Sequence, residues 1–129
     1  LISKPENRDE AFEILKKHND LSLILVGDND RIRSFMTDEM KKFEGNRYTI
    51  HHTKEFVKMD DEVLVALRSK KNSSMKISIE YVKDKSADAC VSSGNTGALM
   101  ALSKIILKML DGIDRPAICT NQKRNYAYA

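Results

Sequence analysis

The sequence has 129 residues, a length that suits one domain able to bury a substantial apolar core. Apolar residues make up 41% and charged residues 32%, and 22 Lys and Arg against 19 Asp and Glu leave a formal net charge of +3. This mild positive charge does not indicate a nucleic-acid-binding protein, which usually carries a concentrated basic face. Aromatic residues, at 6%, are too few for base-stacking surfaces. No apolar run approaches the roughly 18 residues of a membrane-spanning helix.

Hydrophobic periodicity predicts helices over residues 6–19, 30–43, 62–70 and 97–110, and apolar or alternating runs predict strands over residues 21–26, 47–52 and 87–92. The run over residues 21–26 is almost continuously apolar, which is typical of a strand buried on both faces in a parallel sheet. Residues 75–85 fit a strand and a helix equally well, and residues 117–120 predict a further strand. The helix over residues 97–110 is apolar nearly all round, which predicts deep burial. Short strands that alternate with helices indicate an α/β fold with a parallel sheet.

The two cysteines, Cys90 and Cys119, lie outside C-x-x-C and zinc-ligand spacings. We interpret both as reduced thiols of a cytoplasmic protein rather than as a disulfide. Cys90 falls within a predicted strand, so we expect a buried thiol, with a nucleophile as the alternative.

A polar turn that contains two glycines, SSGNTG over residues 92–97, connects the strand predicted over residues 87–92 to the helix predicted over residues 97–110. Ligands of parallel sheets bind beyond the carboxyl ends of the strands, and the first amides of a helix lack partners within the helix. Gly94 and Gly97 let a ligand approach the backbone closely. We therefore predict that phosphate or an oxyanion binds the amides of residues 95–98. The alternative is a plain turn capped by Asn95 or Thr96, because no complete P-loop or dinucleotide-binding motif is present.

A second polar cluster, KKNSS over residues 70–74, offers two lysines, one amide and two hydroxyls. It could hold an anion from the side opposite the glycine turn. The alternative is a solvated helix end, with Ser74 capping the next helix.

Four further polar residues are interpreted structurally. His51 and His52 are adjacent in a predicted strand and point to opposite faces, so we expect surface or edge residues rather than joint metal ligands. Asp28 and Asp30 follow the first predicted strand, where they can be site residues but are expected as turn and N-cap residues.

Three stretches, KKNSSM, ADACVSSGNTGALM and GIDRPAI, in this order and spacing resemble the PlsX family of bacterial phosphate acyltransferases of phospholipid synthesis. The stretch LILVGD upstream fits the same family. The resemblance covers about residues 10 to 119 and corresponds to the N-terminal half of the family's chain.

The resemblance implies a three-layer α/β/α fold around a mainly parallel sheet, similar to phosphotransacetylases and isocitrate-dehydrogenase-like folds, and it implies that residues 75–85 form a helix. It also implies transfer of a long-chain acyl group from acyl carrier protein to inorganic phosphate, giving acyl phosphate. The implied partners are acyl carrier protein, phosphate and a second copy in a homodimer, with peripheral membrane contact and no cofactor, metal or nucleic acid.

Site residues are assigned only where the sequence matches the family's motifs. Lys71 and Asn95 are the implied catalytic residues. The implied phosphate-binding residues come from both polar clusters: Asn72, Ser73, Ser93, Gly94, Asn95, Thr96 and Gly97. Because phosphate itself attacks the thioester, the protein must orient it and stabilise the oxyanion rather than supply a covalent nucleophile.

The domain assignment places a partial acyltransferase-like α/β domain over residues 1–120 and leaves residues 121–129 as an unassigned, divergent tail. We therefore expect a fragment or truncated form of the family's chain. The alternative function is a catalytically inactive phosphate-binding module, or a structural remnant of the fold.

Overall fold

The structure, a computed structural model, describes residues 5–117, with side chains from residue 9 onward. Its elements run in the order α1 (Pro5–Lys17), β1 (Leu23–Gly27), α2 (Asn29–Ser34), α3 (Asp38–Lys41), β2 (Tyr48–His52), α4 (Val63–Arg68), α5 (Ser74–Lys83) and α6 (Thr96–Leu107). The predicted α/β class is confirmed. None of the helices in this part of the chain is long and apolar enough to cross a membrane.

The two strands pair in parallel, with a register that runs from Leu23 opposite Tyr48 to Gly27 opposite His52. The Leu23 amide donates to the Arg47 carbonyl at one end of the pair (2.9 Å). As the chain connecting the strands crosses back over the sheet through α2 and α3, both carboxyl ends meet at one edge. That edge positions the candidate site.

A first apolar core packs α1 and α2 against the sheet. Its buried members are Phe12, Leu15, Leu25, Ile32, Met36 and Tyr48. The rings of Phe12 and Tyr48 meet edge to face, with centroids 5.4 Å apart. The Arg47 guanidinium fixes the connection that follows α1, because it donates to the carbonyls of Leu15 (2.9 Å) and Leu21 (3.0 Å), as well as to that of His18.

A second apolar core joins α4, α5 and α6. Its buried members are Val57, Ala66, Met75, Ile79, Ala98 and Leu102. The ambiguous stretch over residues 75–85 is thus helical as α5, which confirms what the family resemblance implied. Periodicity could not decide this stretch because Ile79 satisfies both patterns.

The prediction of one continuous helix over residues 30–43 is wrong. The structure has two helices there, because α2 ends at Ser34 and α3 begins at Asp38. Between them, the Thr37 hydroxyl accepts a hydrogen bond from the Met40 amide (3.3 Å) and caps α3. A threonine cap starts a new helix, because the capping residue itself takes an extended backbone.

The strand predicted over residues 87–92 is also wrong, because the described sheet contains only β1 and β2. A strand requires a neighbour for its backbone hydrogen bonds. The segment instead lies across a cavity from β1.

The prediction of deep burial for the last helix is confirmed only for its inner face. Ala98 and Leu102 are buried, but Ile105 is 61% exposed. The helix ends at Leu107 rather than at residue 110, and Lys108 takes a positive φ of 66°. Residues 118–120 of the last predicted strand lie outside the described residues.

The Tyr48 hydroxyl provides a test of the first core. Tyr48 is 1% exposed, and its hydroxyl has no hydrogen-bond partner within the described residues. Burial raises the pKa of this phenol. We expect Tyr48→Phe to increase the free energy of unfolding by about 1 kcal/mol, because an unsatisfied buried hydroxyl is removed at constant ring packing. Urea unfolding measures the change, and Phe12→Ala is the destabilising reference, at about 3–5 kcal/mol. A loss of stability in Tyr48→Phe would contradict the assignment of the Tyr48 hydroxyl as a buried group without a hydrogen-bond partner.

Candidate anion-binding site

The carboxyl ends of β1 and β2 lead into turns whose polar side chains hold backbone amides. The Asp28 carboxylate accepts hydrogen bonds from the amides of Asp30 (3.0 Å) and Arg31 (3.2 Å) and caps α2. The Arg31 amide is the main reason that the pKa of Asp28 lies below its usual value. His52 Nδ1 accepts from the Asn29 amide (3.0 Å). The expectation that Asp28 is a cap residue is confirmed.

The loop over residues 53–62 leaves this edge of the sheet and first binds the KKNSS turn. Thr53 Oγ1 donates to the Asn72 carbonyl (2.7 Å), while the Asn72 amide donates to Glu55 Oε2 (2.7 Å). The Ser74 amide donates to the backbone carbonyl of Glu55 (2.9 Å). Two residues of the loop therefore fix the start of α5.

The far end of the same loop binds the glycine turn through one side chain. Asn95 Nδ2 lies 3.3, 3.2 and 3.0 Å from the carbonyl oxygens of Lys58, Met59 and Asp61, and it donates its two N–H groups to them. Asn95 Oδ1 accepts from the Ala98 amide (3.0 Å) and caps α6. Both ends of the Asn95 side-chain amide thus bind other parts of the protein. Of the two caps that the sequence offered, Asn95 and Thr96, Asn95 is confirmed.

Lys70 is likewise bound within the protein. Its ammonium pairs with the Asp61 carboxylate and donates to the Phe56 carbonyl (2.8 Å). The Asp61 carboxylate also accepts from the Lys58 amide (2.7 Å). The hydrogen bond from Lys70, followed by that from Lys58, holds the pKa of Asp61 below its usual value.

Lys71 is the lysine of this turn that stays available to a ligand. Its side chain is exposed and makes no hydrogen bond or ion pair within the described residues. Its prediction as a catalytic residue remains a prediction.

The two serines of the turn have different roles. The Ser73 hydroxyl accepts from the Lys76 amide (3.4 Å) and caps α5, so the expectation that Ser74 is the cap is wrong. Ser74 is 1% exposed, and its hydroxyl has no partner within residues 9–117. An unsatisfied buried hydroxyl is costly, which marks Ser74 as a group able to donate to a ligand.

At the start of α6, the amides of Thr96 and Gly97 make no hydrogen bond to the described residues, as is normal for the first turn of a helix. The Ala98 amide, also predicted to bind the anion, is already bound to Asn95. A Cβ on Gly97 would lie 3.2 Å from Val63 Cγ2, so this glycine also permits close packing of α6 on α4.

One cavity, of about 990 Å³, borders β1 and residues of both polar turns. Its wall includes Asp28 and Thr53 at the carboxyl edge of the sheet, together with Ser74, Ser92 and Ser93. Ser93 was predicted as a phosphate ligand. The two predicted polar clusters therefore border one space, although Gly94, Thr96 and Gly97 do not line it directly.

Sequence reasoning missed the residues that organise the site. Thr53, Glu55 and Asp61 contact residues 17 to 34 positions away in the sequence. No local pattern in the sequence marks them.

Comparison with known proteins matches residues 8–123 to the model of the fatty acid synthesis protein family. A phosphate acyltransferase of Methylococcus capsulatus is 51% identical over 108 residues, covering 84% of this chain and 32% of that protein. A phosphate acyltransferase of Polynucleobacter asymbioticus is 54% identical over 110 residues, covering 85% of this chain and 32% of that protein. The chain thus spans about a third of the length of these relatives.

The ion pair between Asp61 and Lys70 predicts a specific acid response. Because the folded pKa of Asp61 is lowered from 3.8, its contribution to stability is fully present above that value and is lost as the pH falls through the folded pKa. We expect Asp61→Asn to lower the thermal midpoint at about pH 7 and to leave a smaller difference from the wild type at about pH 2. The matched control is Asp60→Asn, since Asp60 is exposed. A difference between Asp61→Asn and the wild type that stays constant with pH would contradict the assigned role of the carboxylate.

Proposed function

Because this chain belongs to the fatty acid synthesis protein family, we propose that it is part of an acyltransferase that moves a long-chain acyl group from acyl carrier protein to inorganic phosphate. The observation that carries the proposal is the match of about 50% identity to phosphate acyltransferases over a segment that contains both polar turns. The product would be an acyl phosphate for phospholipid synthesis.

The proposed reaction is an acyl transfer with a simple balance. A phosphate oxygen attacks the thioester carbonyl carbon, the C–O bond forms, and the C–S bond breaks. The carrier-protein sulfur leaves with the electron pair and takes up a proton. The protein must bring phosphate and the thioester together and stabilise the oxyanion at the former carbonyl.

The described residues can supply the anion-binding part of this chemistry. The Thr96 and Gly97 amides and the positive end of α6 favour an anion at the carboxyl edge of the sheet. Ser74 lines the cavity, and its buried hydroxyl has no partner within the described residues. Lys71 can add charge at the rim.

Asn95 and Asn72 act in this proposal as positioning residues. The Asn95 side chain is bound to the loop over residues 53–62 and to α6, and the backbone of Asn72 is bound to the same loop. Neither contribution requires a direct contact between the side chain and the reacting atoms.

A second candidate function is phosphate binding without turnover in this segment. The observation that favours it is that the side chains of Asn95 and Lys70 are both bound within the protein. Under this alternative, the chain binds phosphate but contributes nothing to the chemical step.

Homodimer formation and peripheral membrane contact by a cytoplasmic protein belong to the same proposal. They rest on the family resemblance of the three motifs. Apolar side chains on or next to α6, such as Ile105 and Leu110, are exposed. They support the proposal because a second copy or a membrane surface would cover them.

The proposal is tested in a chimera, in which this chain replaces the matching segment of the Methylococcus capsulatus relative. We expect the chimera to release acyl phosphate from an acyl carrier protein thioester and phosphate. Ser74→Ala should raise the KM for phosphate by about tenfold, as expected for one lost hydrogen bond to a charged ligand. It should leave thermal stability equal or higher, because it removes an unsatisfied buried hydroxyl.

The matched control is Ser78→Ala. Ser78 lies in the same cavity wall, but its hydroxyl already donates to the Ser74 carbonyl (2.8 Å). A folded chimera that binds phosphate but releases no acyl phosphate would support the binding-only alternative. A folded chimera without phosphate binding would contradict both functions.

A further inference from the structure

Glu55 contacts the KKNSS turn through both its side chain and its backbone. The Asn72 amide donates to Glu55 Oε2 (2.7 Å), and the Ser74 amide donates to the Glu55 carbonyl (2.9 Å). The Thr53 hydroxyl accepts from the Glu55 amide (3.2 Å) and donates to the Asn72 carbonyl (2.7 Å). These hydrogen bonds hold Glu55 next to Ser74, whose buried hydroxyl has no partner within the described residues.

The carboxylate of Glu55 has acceptor capacity left over. Its Oε2 atom binds the Asn72 amide, whereas its Oε1 atom makes no hydrogen bond or ion pair within residues 9–117. Glu55 is half-buried and lines the same cavity as Thr53 and Ser74. Because a carboxylate accepts several hydrogen bonds, Glu55 can accept one more from a ligand in that cavity.

A carboxylate beside an anion-binding site favours anions that carry a proton. Two negative charges repel each other, and they do so more strongly where water is partly excluded. A hydrogen bond from the anion to the carboxylate offsets this repulsion, because hydrogen bonds to charged acceptors are the strong ones. Monohydrogen phosphate has a P–OH group that can donate such a bond, whereas sulfate, with the same charge and shape, has none.

We propose that Glu55 makes this site selective for phosphate over sulfate, because its carboxylate accepts a hydrogen bond from the P–OH group of bound phosphate. The Ser74 hydroxyl and the Lys71 ammonium donate to the phosphate oxygens that carry no proton. Sulfate would place an acceptor against the carboxylate, and an unpaired group of this kind is how a site rejects a ligand of the same shape. The proposal rests on the proposed function, since it takes phosphate as the ligand of the site.

The probes are inorganic phosphate and inorganic sulfate, which are titrated calorimetrically into the 129-residue chain at constant ionic strength. The pH is mildly alkaline, so that both ions carry two negative charges and differ only in the proton. We expect the chain to bind phosphate about tenfold or more tightly than sulfate, as one hydrogen bond to a charged group implies.

Glu55→Gln removes the charge but keeps an oxygen that can accept from the Asn72 amide. Its NH₂ group replaces the free carboxylate oxygen and can donate to either ion. Sulfate then gains a partner, while phosphate exchanges one hydrogen bond for another. We expect the two dissociation constants of Glu55→Gln to differ by about threefold or less.

The matched control is Glu62→Gln, which removes the same charge from the same loop. Glu62 is exposed, and its side chain does not cap α4. We expect this variant to keep the selectivity of the wild type. Glu55→Ala, which also removes the acceptor of the Asn72 amide, should weaken the binding of both ions.

A test on the ligand side does not depend on the folding of any variant. Monofluorophosphate is a dianion of nearly the same size as phosphate, but fluorine takes the place of the hydroxyl group. We expect the wild-type chain to bind it about as weakly as sulfate, because it cannot donate to Glu55.

Three results would overturn the proposal and leave the proposed function intact. These are equal binding of phosphate and sulfate by the wild type, full selectivity in Glu55→Gln, and binding of monofluorophosphate as tight as that of phosphate. A folded chain that binds neither ion would also overturn the proposal. The proposed function is decided separately, by the release of acyl phosphate from the chimera described above.

Discussion

The side-chain amide of Asn95 is the interaction on which the arrangement of the candidate site depends. Its nitrogen donates to carbonyl groups of the loop over residues 53–62, and its oxygen caps α6. An amide is suited to this position because it offers two donors and one acceptor in a fixed plane. A carboxylate would place negative charge against several carbonyl oxygens, and an apolar side chain would leave them without a donor.

The same loop holds the other polar turn through Thr53 and Glu55. One segment therefore fixes the distance between the start of α5 and the start of α6. The ion pair of Asp61 with Lys70 adds a further connection between the loop and the KKNSS turn. The function proposed for this segment, anion binding, needs that distance to be constant, because a ligand held by two helix starts binds only when both are in place.

Local features of the site could be predicted from the sequence. The glycine turn, the helix that follows it and Asn95 as its cap are signalled by residues within four positions of one another, which is the range of a capping hydrogen bond. The strand β1 was predicted from its continuous apolar run. The helical state of residues 74–83 came from the family resemblance, since their periodicity was ambiguous.

Other features depend on contacts that no local pattern records. Glu55 contacts Asn72, and Asn95 contacts Asp61 from 34 residues away, so the organising loop was missed. Residues 87–92 were predicted as a strand, but a strand requires a neighbour for its backbone hydrogen bonds, and the described sheet ends at β1.

The loop over residues 53–62 couples the two turns, and amide hydrogen exchange measures this coupling. Asn95 makes no hydrogen bond to Ser74, whose amide donates to the Glu55 carbonyl. We expect Asn95→Ala to speed exchange of the Ser74 amide by about tenfold or more, while the Leu25 amide in the β1–β2 pair keeps its rate. An unchanged rate at Ser74, or an equal increase at Ser74 and Leu25, would contradict the coupling.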